Sequence, residues 1–506
     1  MPRFRKLLTA AVASVMLLTG CAAPVQGPEP LDDPSISADL KSFYTQSVSW
    51  SACGGEQTYC GEVEVPLNWQ DPSAGSLTLA VAYRKADQAE SLGSIIFNPG
   101  GPGGSGYSWI MNSAEQLGTD TLRNSFNLVG FDPRGVGASE PTVKCLNAQD
   151  TDDLLYGQND AELNSAEDIA LTRQAYRVFA DACLANTGPE LAYIDTVSAA
   201  RDMDILRAVF GEEQINYLGF SYGTFLGATY AELYPARVGR MVLDGAIDPT
   251  KSDEEQSIGQ LIGFDQALKN FLADCLETSD CPFTGSMSSA LSQISALLLK
   301  LEKNPVATQD GRELTIWGAI TGMIMPLYSQ GYWPYLSQAF SELKAGDGTT
   351  FILLADTYNE RDENGQYGSN QMEANIAISC LDSRSASDAA SMAAQNAIAL
   401  EASSVFGRYW QNGALGCEVW PFPVADRPDS YAASGSKTIL VIGTTGDPAT
   451  PYTDAVALAN EVLENAQLIT WNGEGHTAYG QGSTCIEQVV DDYFIKDVVP
   501  TEDPNC

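Results

Sequence analysis

Hydrophobic and polar residues alternate along two stretches near the start of the chain, 62–69 (EVEVPLNW) and 76–83 (SLTLAVAY). A period of two residues is typical of antiparallel strands that have one buried and one solvated face. Two shorter runs, 94–97 (SIIF) and 128–131 (LVGF), are mostly apolar and lead into loops rich in glycine and proline. Such runs indicate parallel strands that are buried on both faces.

A second pattern, in which strands and helices alternate, occupies two separate parts of the chain. It predicts an α/β fold, with a mostly parallel sheet that carries helices on both faces. The first part contains a helix at 197–210, a strand at 215–220, a helix at 222–233 and a strand at 240–243, and the second contains a strand at 438–442, a helix at 453–463, a strand at 467–471 and a helix at 486–494.

Between these two parts, from about 250 to 430, helical patterns dominate and strand signals are few. Because strand–helix units resume afterwards, we interpret 250–430 as a large helical cap inserted into a sheet domain that consists of 45–249 and 431–506. A separate sequential domain agrees less well with this order. The predicted cap helices are 258–275, 287–303, 314–328, 335–344 and 386–404.

The N-terminus has the features of an export signal. Basic residues precede an apolar run at 7–18, which is too short to span a bilayer comfortably. The run ends in Leu-Thr-Gly-Cys, which resembles a bacterial lipobox and predicts a signal peptide at 1–21 with a lipid on Cys21. Ordinary signal-peptidase cleavage near Ala22 is the alternative. We therefore expect a lipoprotein at the outer face of the cytoplasmic membrane, or a secreted protein, with a flexible tether at 22–44.

The other ten of the eleven cysteines predict disulfides, because their number is even and the chain is expected to be exported. Spacing does not determine which cysteines pair. A metal site is the alternative, but no Cys-x-x-Cys pair is present. Our hypothesis is that sequence neighbours pair, which joins Cys53 to Cys60, Cys145 to Cys183, Cys275 to Cys281, Cys380 to Cys417 and Cys485 to Cys506.

Charge and histidine content exclude several classes of function. The chain has 27 basic and 65 acidic residues and a formal net charge of -38. Such a surface repels phosphate backbones, so nucleic-acid binding is not expected. It also disfavours attraction to anionic lipid, so membrane contact is expected only through the lipid anchor. The single histidine excludes metal sites that need two imidazoles, and we expect neither a metal nor a cofactor.

Ser221 is the candidate nucleophile. It lies in the sequence GFSYG at 219–223, between a predicted strand and a predicted helix. The pattern G-x-S-x-G in this context presents a serine hydroxyl at the carboxyl end of a parallel sheet. The glycines are needed because the turn is strained and the chain passes close to neighbouring elements.

The serine hydroxyl needs a general base, and the base needs a carboxylate that orients it. His476 is the only histidine, and it follows the last predicted strand. Asp447 follows the strand at 438–442 and precedes His476 by one helix–strand unit, so it is the preferred acid. Asp244 and Asp248, near the end of the strand before the cap, are the alternatives.

The loop 98–106 (NPGGPGGSG) follows the strand at 94–97 and holds five glycines in nine residues. Acyl transfer needs backbone N–H groups directed at the oxyanion that develops in the transition state. We expect Gly101, or its neighbour, to supply one of these donors and Tyr222 the other. The loop could also be a phosphate cradle, although it lacks the Gly-Lys-Ser/Thr ending, or a simple turn.

Together these motifs resemble the secreted tripeptidyl aminopeptidases of actinobacteria, within the prolyl-aminopeptidase-like branch of α/β-hydrolases, over about residues 45–506. The order Ser, Asp, His agrees with that fold. In one departure, Asn98-Pro99 stands where the prolyl branch has His. The resemblance implies an α/β-hydrolase fold and the release of short peptides, expected to be tripeptides, from free N-termini. The motifs that carry it are 98–106, DPRGVGAS at 132–139, GFSYG at 219–223, LDG at 243–245, GDP at 446–448 and GH at 475–476.

The resulting hypothesis is an exported serine exopeptidase that acts on peptides or proteins with a free N-terminus. A lipid-anchored serine esterase or lipase is the alternative, because the fold does not determine the substrate, and a catalytically silent surface binding protein is a third. A carboxylate in or beside the cap should bind the substrate α-ammonium. The sequence leaves open the oligomeric state, the natural substrate and which of Asp253, Glu254, Glu255 and Asp382 is that carboxylate.

Overall fold

The computed structural model describes residues 27–506 of the chain. The predicted signal peptide at 1–21, the predicted lipidation site Cys21 and the first residues of the predicted tether lie outside the described residues. In the described part, no helix is both long and apolar enough to cross a membrane.

The strands form one nine-stranded sheet and one separate two-stranded hairpin. Along the chain they are β1 (Ser51–Ala52), β2 (Thr58–Asn68), β3 (Asp71–Arg84), β4 (Ser94–Asn98), β5 (Asn127–Phe131), β6 (Ile215–Phe220), β7 (Val238–Asp244), β8 (Val306–Ala307), β9 (Glu313–Leu314), β10 (Ile439–Gly446) and β11 (Ala466–Glu474).

The large sheet has the order β1-β2-β3-β5-β4-β6-β7-β10-β11. The strands from β5 to β11 in this order all pair in parallel, whereas β1, β2 and β3 add an antiparallel edge. In β2, Val63 and Val65 are buried and Glu62 and Glu64 are exposed, as the alternating pattern predicts. The prediction of a mostly parallel sheet is confirmed.

Helices cover both faces of this sheet. The first seven are α1 (Lys41–Tyr44), α2 (Gly106–Ser113), α3 (Asp120–Ser125), α4 (Ala148–Leu155), α5 (Ala166–Thr187), α6 (Thr196–Val209) and α7 (Tyr222–Leu233). Side-chain caps fix where α2 to α6 begin, through Ser105, Thr119, Asn147, Ser165 and Asp195.

The segment after β7 forms a layer of helices with a hydrophobic core of its own. Its first helix begins at a capping box, in which Ser252 and Glu255 satisfy each other's backbone N–H groups. The helices of the segment are α8 (Asp253–Cys275), α9 (Met287–Lys303), α10 (Ile316–Leu327), α11 (Trp333–Ala345), α12 (Thr349–Tyr358), α13 (Gln371–Asp382), α14 (Ala389–Ala402) and α15 (Leu415–Glu418).

Two features change the predicted division between cap and sheet domain. Tyr156, at the end of α4, belongs to the hydrophobic core of the cap although it comes long before residue 250. Conversely, the buried residues of α13, such as Ala377 and Ile378, belong to the hydrophobic core of the sheet domain. The cap layer therefore includes a residue from the first part of the chain, while one helix of the predicted cap segment packs into the sheet domain.

After the cap, the chain returns to the sheet through β10 and β11. Helix α16 (Tyr452–Ala457) continues into a π-helical turn at Leu458–Val462, and α17 (Thr484–Lys496) closes the fold. Residues from α6, α7 and α16 share one hydrophobic cluster with Tyr217 and Val441. Residues from α2, α3 and α17 share another with Leu218 and Leu440, so neighbouring strand positions face opposite layers.

The expectation of a flexible tether is wrong for the described part of 22–44. Leu31 donates its N–H to the carbonyl of Ala208 over 2.8 Å. Arg237 donates to the carboxylate of Asp33, and Tyr44 is buried with its hydroxyl on Asp204. Composition suggested a solvated chain, but these ionic and buried contacts fix the segment against the sheet domain.

Five disulfides join the ten cysteines in the sequential order expected. They pair Cys53 with Cys60, Cys145 with Cys183, Cys275 with Cys281, Cys380 with Cys417 and Cys485 with Cys506. The last of these ties the C-terminus to α17, and Cys506 also donates its N–H to the carbonyl of Thr470 on β11.

We predict that Gly130→Ala destabilises the fold. An ideal Cβ at this position would lie 2.0 Å from the backbone oxygen of Gly106, at the start of α2. Forced overpacking of this kind should reduce the free energy of unfolding by about 3 kcal/mol, as measured by urea denaturation with the disulfides intact. Gly413→Ala is the matched control because no atom lies within 4 Å of its ideal Cβ. Equal stability of the two variants would contradict the prediction.

Candidate active site

Ser221 occupies a strained turn between β6 and α7. Its φ of 56° and ψ of -124° are unfavourable for a residue with a side chain. The turn is held because Ser221 donates its N–H to the carbonyl of Asp244 over 2.9 Å. A Cβ on Gly219 would lie 2.4 Å from the backbone oxygen of Gly223, so the glycine is required there. Ser221 is half-buried, and no hydrogen bond within 27–506 engages its Oγ.

Asp447 and His476 are paired by the loops that follow β10 and β11. The Nδ1 atom of His476 lies 2.9 Å and 3.0 Å from the two carboxylate oxygens of Asp447. The carboxylate also accepts the N–H groups of Ala449 and Thr450, and the hydroxyl of Thr450. These contacts fix the carboxylate and leave Nε2 as the ring nitrogen that Asp447 does not engage.

The cap also holds the imidazole. His476 donates its backbone N–H to the carbonyl of Tyr328, at the end of α10, over 2.8 Å. The Tyr328 ring packs edge-on against the imidazole with a centroid distance of 5.4 Å. The position of the candidate base therefore depends on the cap as well as on the sheet.

The pKa of His476 is raised above its ordinary value. Burial by itself would lower this pKa, because it disfavours the imidazolium, but the Asp447 carboxylate and, behind it, Asp244 outweigh that effect. An ion pair of this kind stabilises the imidazolium that forms when a histidine takes a proton from a serine.

The two alternative acids have other partners. Asp244 is fully buried, and its carboxylate accepts the N–H groups of Ala478 and Tyr479, over 2.7 Å to Tyr479. Burial raises the pKa of Asp244 to about 7, although those N–H groups oppose the rise. Asp248 accepts the N–H and hydroxyl of Thr250 in a local turn. Asp244 thus anchors the loop that carries His476 without contacting its imidazole nitrogens.

The glycine loop after β4 lies against the serine turn. An ideal Cβ on Gly100 would lie 3.0 Å from the Cβ of Ser221 and 3.2 Å from the nitrogen of Tyr222. Gly100 and Gly101 have φ values of 95° and 112°, which favour glycine. No hydrogen bond within the described residues engages the N–H of Gly101 or of Tyr222. Two unused donors therefore lie beside Ser221.

Asp132 holds the end of the glycine loop in place. Its buried carboxylate accepts the hydroxyl of Ser105 and the N–H of Tyr107 at the start of α2, and the N–H of Ala138. Burial raises the pKa of Asp132, and these donors oppose the rise. The motif at 132–139 indicated the importance of this segment, but the sequence did not show which loop it holds.

The supporting roles of Tyr328 and Thr450 were also missed. Thr450 had a local signal, since a threonine three residues after an aspartate can hydrogen-bond its carboxylate in a turn. Tyr328 had no such signal, because its contact with His476 joins residues far apart in the sequence.

None of the four carboxylates considered for the substrate amine is free of protein partners. Asp253 accepts the hydroxyls of Ser383 and Ser385, and Glu254 accepts the N–H of Ala386 and the amide of Gln395. Glu255 closes the capping box of α8, and Asp382 is buried against Thr196. The structure therefore selects none of the four.

Three features lie at the carboxyl ends of a parallel sheet: the turn that carries Ser221, the Asp447–His476 pair and the glycine loop. Together they define a class of enzyme. A family model described as the alpha/beta hydrolase fold matches residues 93–483, and the chain belongs to the α/β-hydrolase family. It is a serine hydrolase of this fold.

Relatives of similar sequence include enzymes that are named for different activities. The chain is 34% identical to "Serine protease Hip1" of Mycobacterium tuberculosis, over 99% of its own length and 97% of that protein. It is 36% identical to "Carboxylesterase B" of the same species, over 99% and 98%. It is 28% identical to "Tripeptidyl aminopeptidase" of Streptomyces coelicolor, over 91% and 86%, so the resemblance described above is confirmed.

We predict that Asp447→Asn lowers kcat about 10⁴-fold, the loss typical when a triad carboxylate becomes an amide. His476 must be neutral to act as a base, and its pKa is raised, so activity should fall on the acid side with a midpoint above 6.5. Without the carboxylate this midpoint should move to lower pH, which the pH profile of kcat/KM measures.

Asp244→Asn is the matched comparison for the same measurement. Because Asp244 contacts the loop and not the imidazole nitrogens, we expect a much smaller fall in kcat. A larger loss in Asp244→Asn than in Asp447→Asn would reverse the assignment of the acid.

Proposed function

We propose that this protein is an exported serine exopeptidase that releases short peptides, as tripeptides, from free N-termini through an acyl-enzyme on Ser221. The observation that carries the proposal is the combination of the strained Ser221 turn, the Asp447–His476 pair and the two unused N–H groups of Gly101 and Tyr222. Serine protease and tripeptidyl aminopeptidase relatives that align over nearly the whole chain support the choice of peptide substrates.

In the proposed reaction, Ser221 Oγ attacks the scissile carbonyl while Nε2 of His476 accepts the hydroxyl proton. The N–H groups of Gly101 and Tyr222 donate to the oxyanion of the tetrahedral intermediate. His476 then gives its proton to the leaving amine as the C–N bond breaks. A water molecule attacks the acyl-enzyme by the same route, which releases the peptide acid and restores the Ser221 hydroxyl. Asp447 holds Nδ1 and stabilises the imidazolium throughout.

The cap gives a physical reason for a preference for chain ends. Helix α8 lies directly over the acid loop, since an ideal Cβ on Gly263 would lie 2.4 Å from the oxygen of Pro448. The end of α10 contacts His476. A covered site admits the end of a peptide more readily than the middle of a folded chain.

Export is the remaining part of the proposal. Five disulfides are stable in an oxidising compartment and rare in reducing cytoplasm. The N-terminal sequence supports the same conclusion, and lipidation at Cys21 would hold the enzyme at the membrane surface.

An esterase is the second candidate, and one observation favours it. The 36% identical relative carries the name "Carboxylesterase B". The same serine, histidine and oxyanion donors serve ester and amide hydrolysis, so the two candidates differ only in the substrate that the site accepts.

We predict that the enzyme hydrolyses peptide anilides with a free N-terminus and that N-acetylation of the same substrates abolishes turnover. Mass spectrometry of the products from a defined longer peptide should show successive losses of three residues. Equal cleavage of the blocked substrates, or turnover of acyl esters alone, would reject the exopeptidase and favour the esterase.

We predict that a fluorophosphonate probe labels Ser221 and that Ser221→Ala abolishes labelling. His476→Ala should remove nearly all labelling and turnover, because the chain contains no other imidazole. Ser292→Ala is the serine control and should remain labelled, since Ser292 lies on α9 in the cap and donates its exposed hydroxyl to the carbonyl of Ser288. Labelling that survives in Ser221→Ala would show that the nucleophile is another residue.

A further inference from the structure

Helix α13 occupies a special position between the cap and the sheet domain. It lies in the cap segment, yet its buried residues Ala374, Ala377 and Leu381 belong to the hydrophobic core of the sheet domain. The disulfide between Cys380 and Cys417 fixes its last turn. The helix is therefore a firmly held part of the fold, and its two ends contact the two sides of the proposed oxyanion site.

The first contact is with the glycine loop. Asn375 donates its side-chain amide to the carbonyl of Pro102 over 3.1 Å. An ideal Cβ on Gly103 would lie 2.5 Å from the oxygen of Gln371 and 3.2 Å from the nitrogen of Asn375. Loop and helix thus meet backbone to backbone, next to the proposed donor Gly101.

The start of the helix is itself anchored to the sheet domain. Asn370 donates to the carbonyls of Gly135 and Val143 and accepts the N–H of Gly137. These bonds tie the first turn of α13 to the segment that also supports the glycine loop through Asp132.

The second contact, at the other end of the helix, reaches Tyr222. Asp382, the last residue of α13, accepts both the N–H and the hydroxyl of Thr196. The Thr196 hydroxyl oxygen is in turn hydrogen-bonded to the phenol of Tyr222. All three side chains are buried, and burial raises the pKa of Asp382 to about 7 although the Thr196 donors oppose the rise.

We propose that α13 sets the spacing of the two oxyanion donors, with Asn375 positioning the Gly101 side and Asp382, through Thr196, positioning the Tyr222 side. Asn375 and Asp382 are positioning residues, since neither is assigned a contact with the reacting atoms. The proposal rests on the proposed function of Ser221 and its oxyanion site, but it holds for amide and ester substrates alike.

The spacing matters because an oxyanion donor is effective only near 2.7–3.1 Å from the developing charge. If a donor is displaced by a fraction of an ångström, substrate still binds, because the ground-state carbonyl depends less on this hydrogen bond than the oxyanion does. Loss of positioning should therefore lower kcat and leave KM nearly unchanged.

The test compares Asn375→Ala and Asp382→Asn with the unchanged enzyme, with a free-amine peptide anilide and a nitrophenyl ester as substrates. Each variant should lower kcat about tenfold on both substrates, which is less than the roughly 10²–10³-fold cost of deleting a donor outright. A peptide aldehyde, which forms a tetrahedral adduct on the serine, should bind more weakly by a similar factor. The released peptide acid should bind as before.

Asn396→Ala is the matched control in the cap. Asn396, on α14, is hydrogen-bonded to Asn412 and, within the described chain, has no bond to α13 or the glycine loop. The Asn396→Ala variant should lose hydrogen bonds within the cap, but its kcat should not decrease. A fall in kcat as large as that of Asn375→Ala would show that any weakening of the cap lowers activity, and would overturn the proposal.

Tyr222→Phe provides a second, independent test. It removes the phenol that joins Tyr222 to Thr196 and keeps the backbone donor. Its effect on kcat should not add to that of Asp382→Asn, because both break one chain of hydrogen bonds, but it should add to that of Asn375→Ala. Full additivity with Asp382→Asn, or a change in KM alone, would refute the proposal. If only the ester is hydrolysed, the exopeptidase fails while the positioning role is still tested.

Discussion

The parallel register of three neighbouring strands is the constraint on which the candidate site depends. Strands β6, β7 and β10 lie side by side, and Asp244 pairs with Phe220 on one side and with Ile442 on the other. The Ser221 turn and the Asp244 carboxylate therefore lie at one level of the sheet, while β10 continues past Ile442 to Gly446 before the chain reaches Asp447. A slip of one residue would turn these side chains to the opposite face. The bond from Ser221 N–H to the carbonyl of Asp244 makes the strained turn part of the same register.

Three buried carboxylates hold different parts of the candidate site. Asp447 orients the imidazole, Asp244 anchors the loop after His476, and Asp132 supports the glycine loop. Each is satisfied by N–H or hydroxyl donors, as buried charges must be. Part of the strongly acidic composition therefore has a structural role. By accepting hydrogen bonds, these carboxylates fix the loops that carry the reacting side chains.

Local pattern was sufficient for most strands of the sheet, and the candidate residues Ser221, Asp447 and His476 lie directly after predicted strands that the structure contains. The strand at 215–220 and the helix at 222–233 were predicted with the observed bounds, because a buried apolar run, a glycine turn and a helical pattern follow one another there. The 22 residues of α5 were missed, since few of its residues are buried and its hydrophobic pattern is weak. The roles of Tyr328 and α13 could not be predicted. They arise where the cap meets the sheet domain, and no local pattern encodes which residues meet across such a boundary.

The placement of the disulfides has a consequence for how the two layers are held together. The bond between Cys275 and Cys281 lies in the hydrophobic core of the cap, and both Cys380 and Cys417 pack against the core of the sheet domain. The other three bonds join residues outside the cap segment, so none of the five in the described chain links one layer to the other. Each layer is thus cross-linked within itself, and separation of the two layers would break packing and hydrogen bonds but no disulfide of residues 27–506.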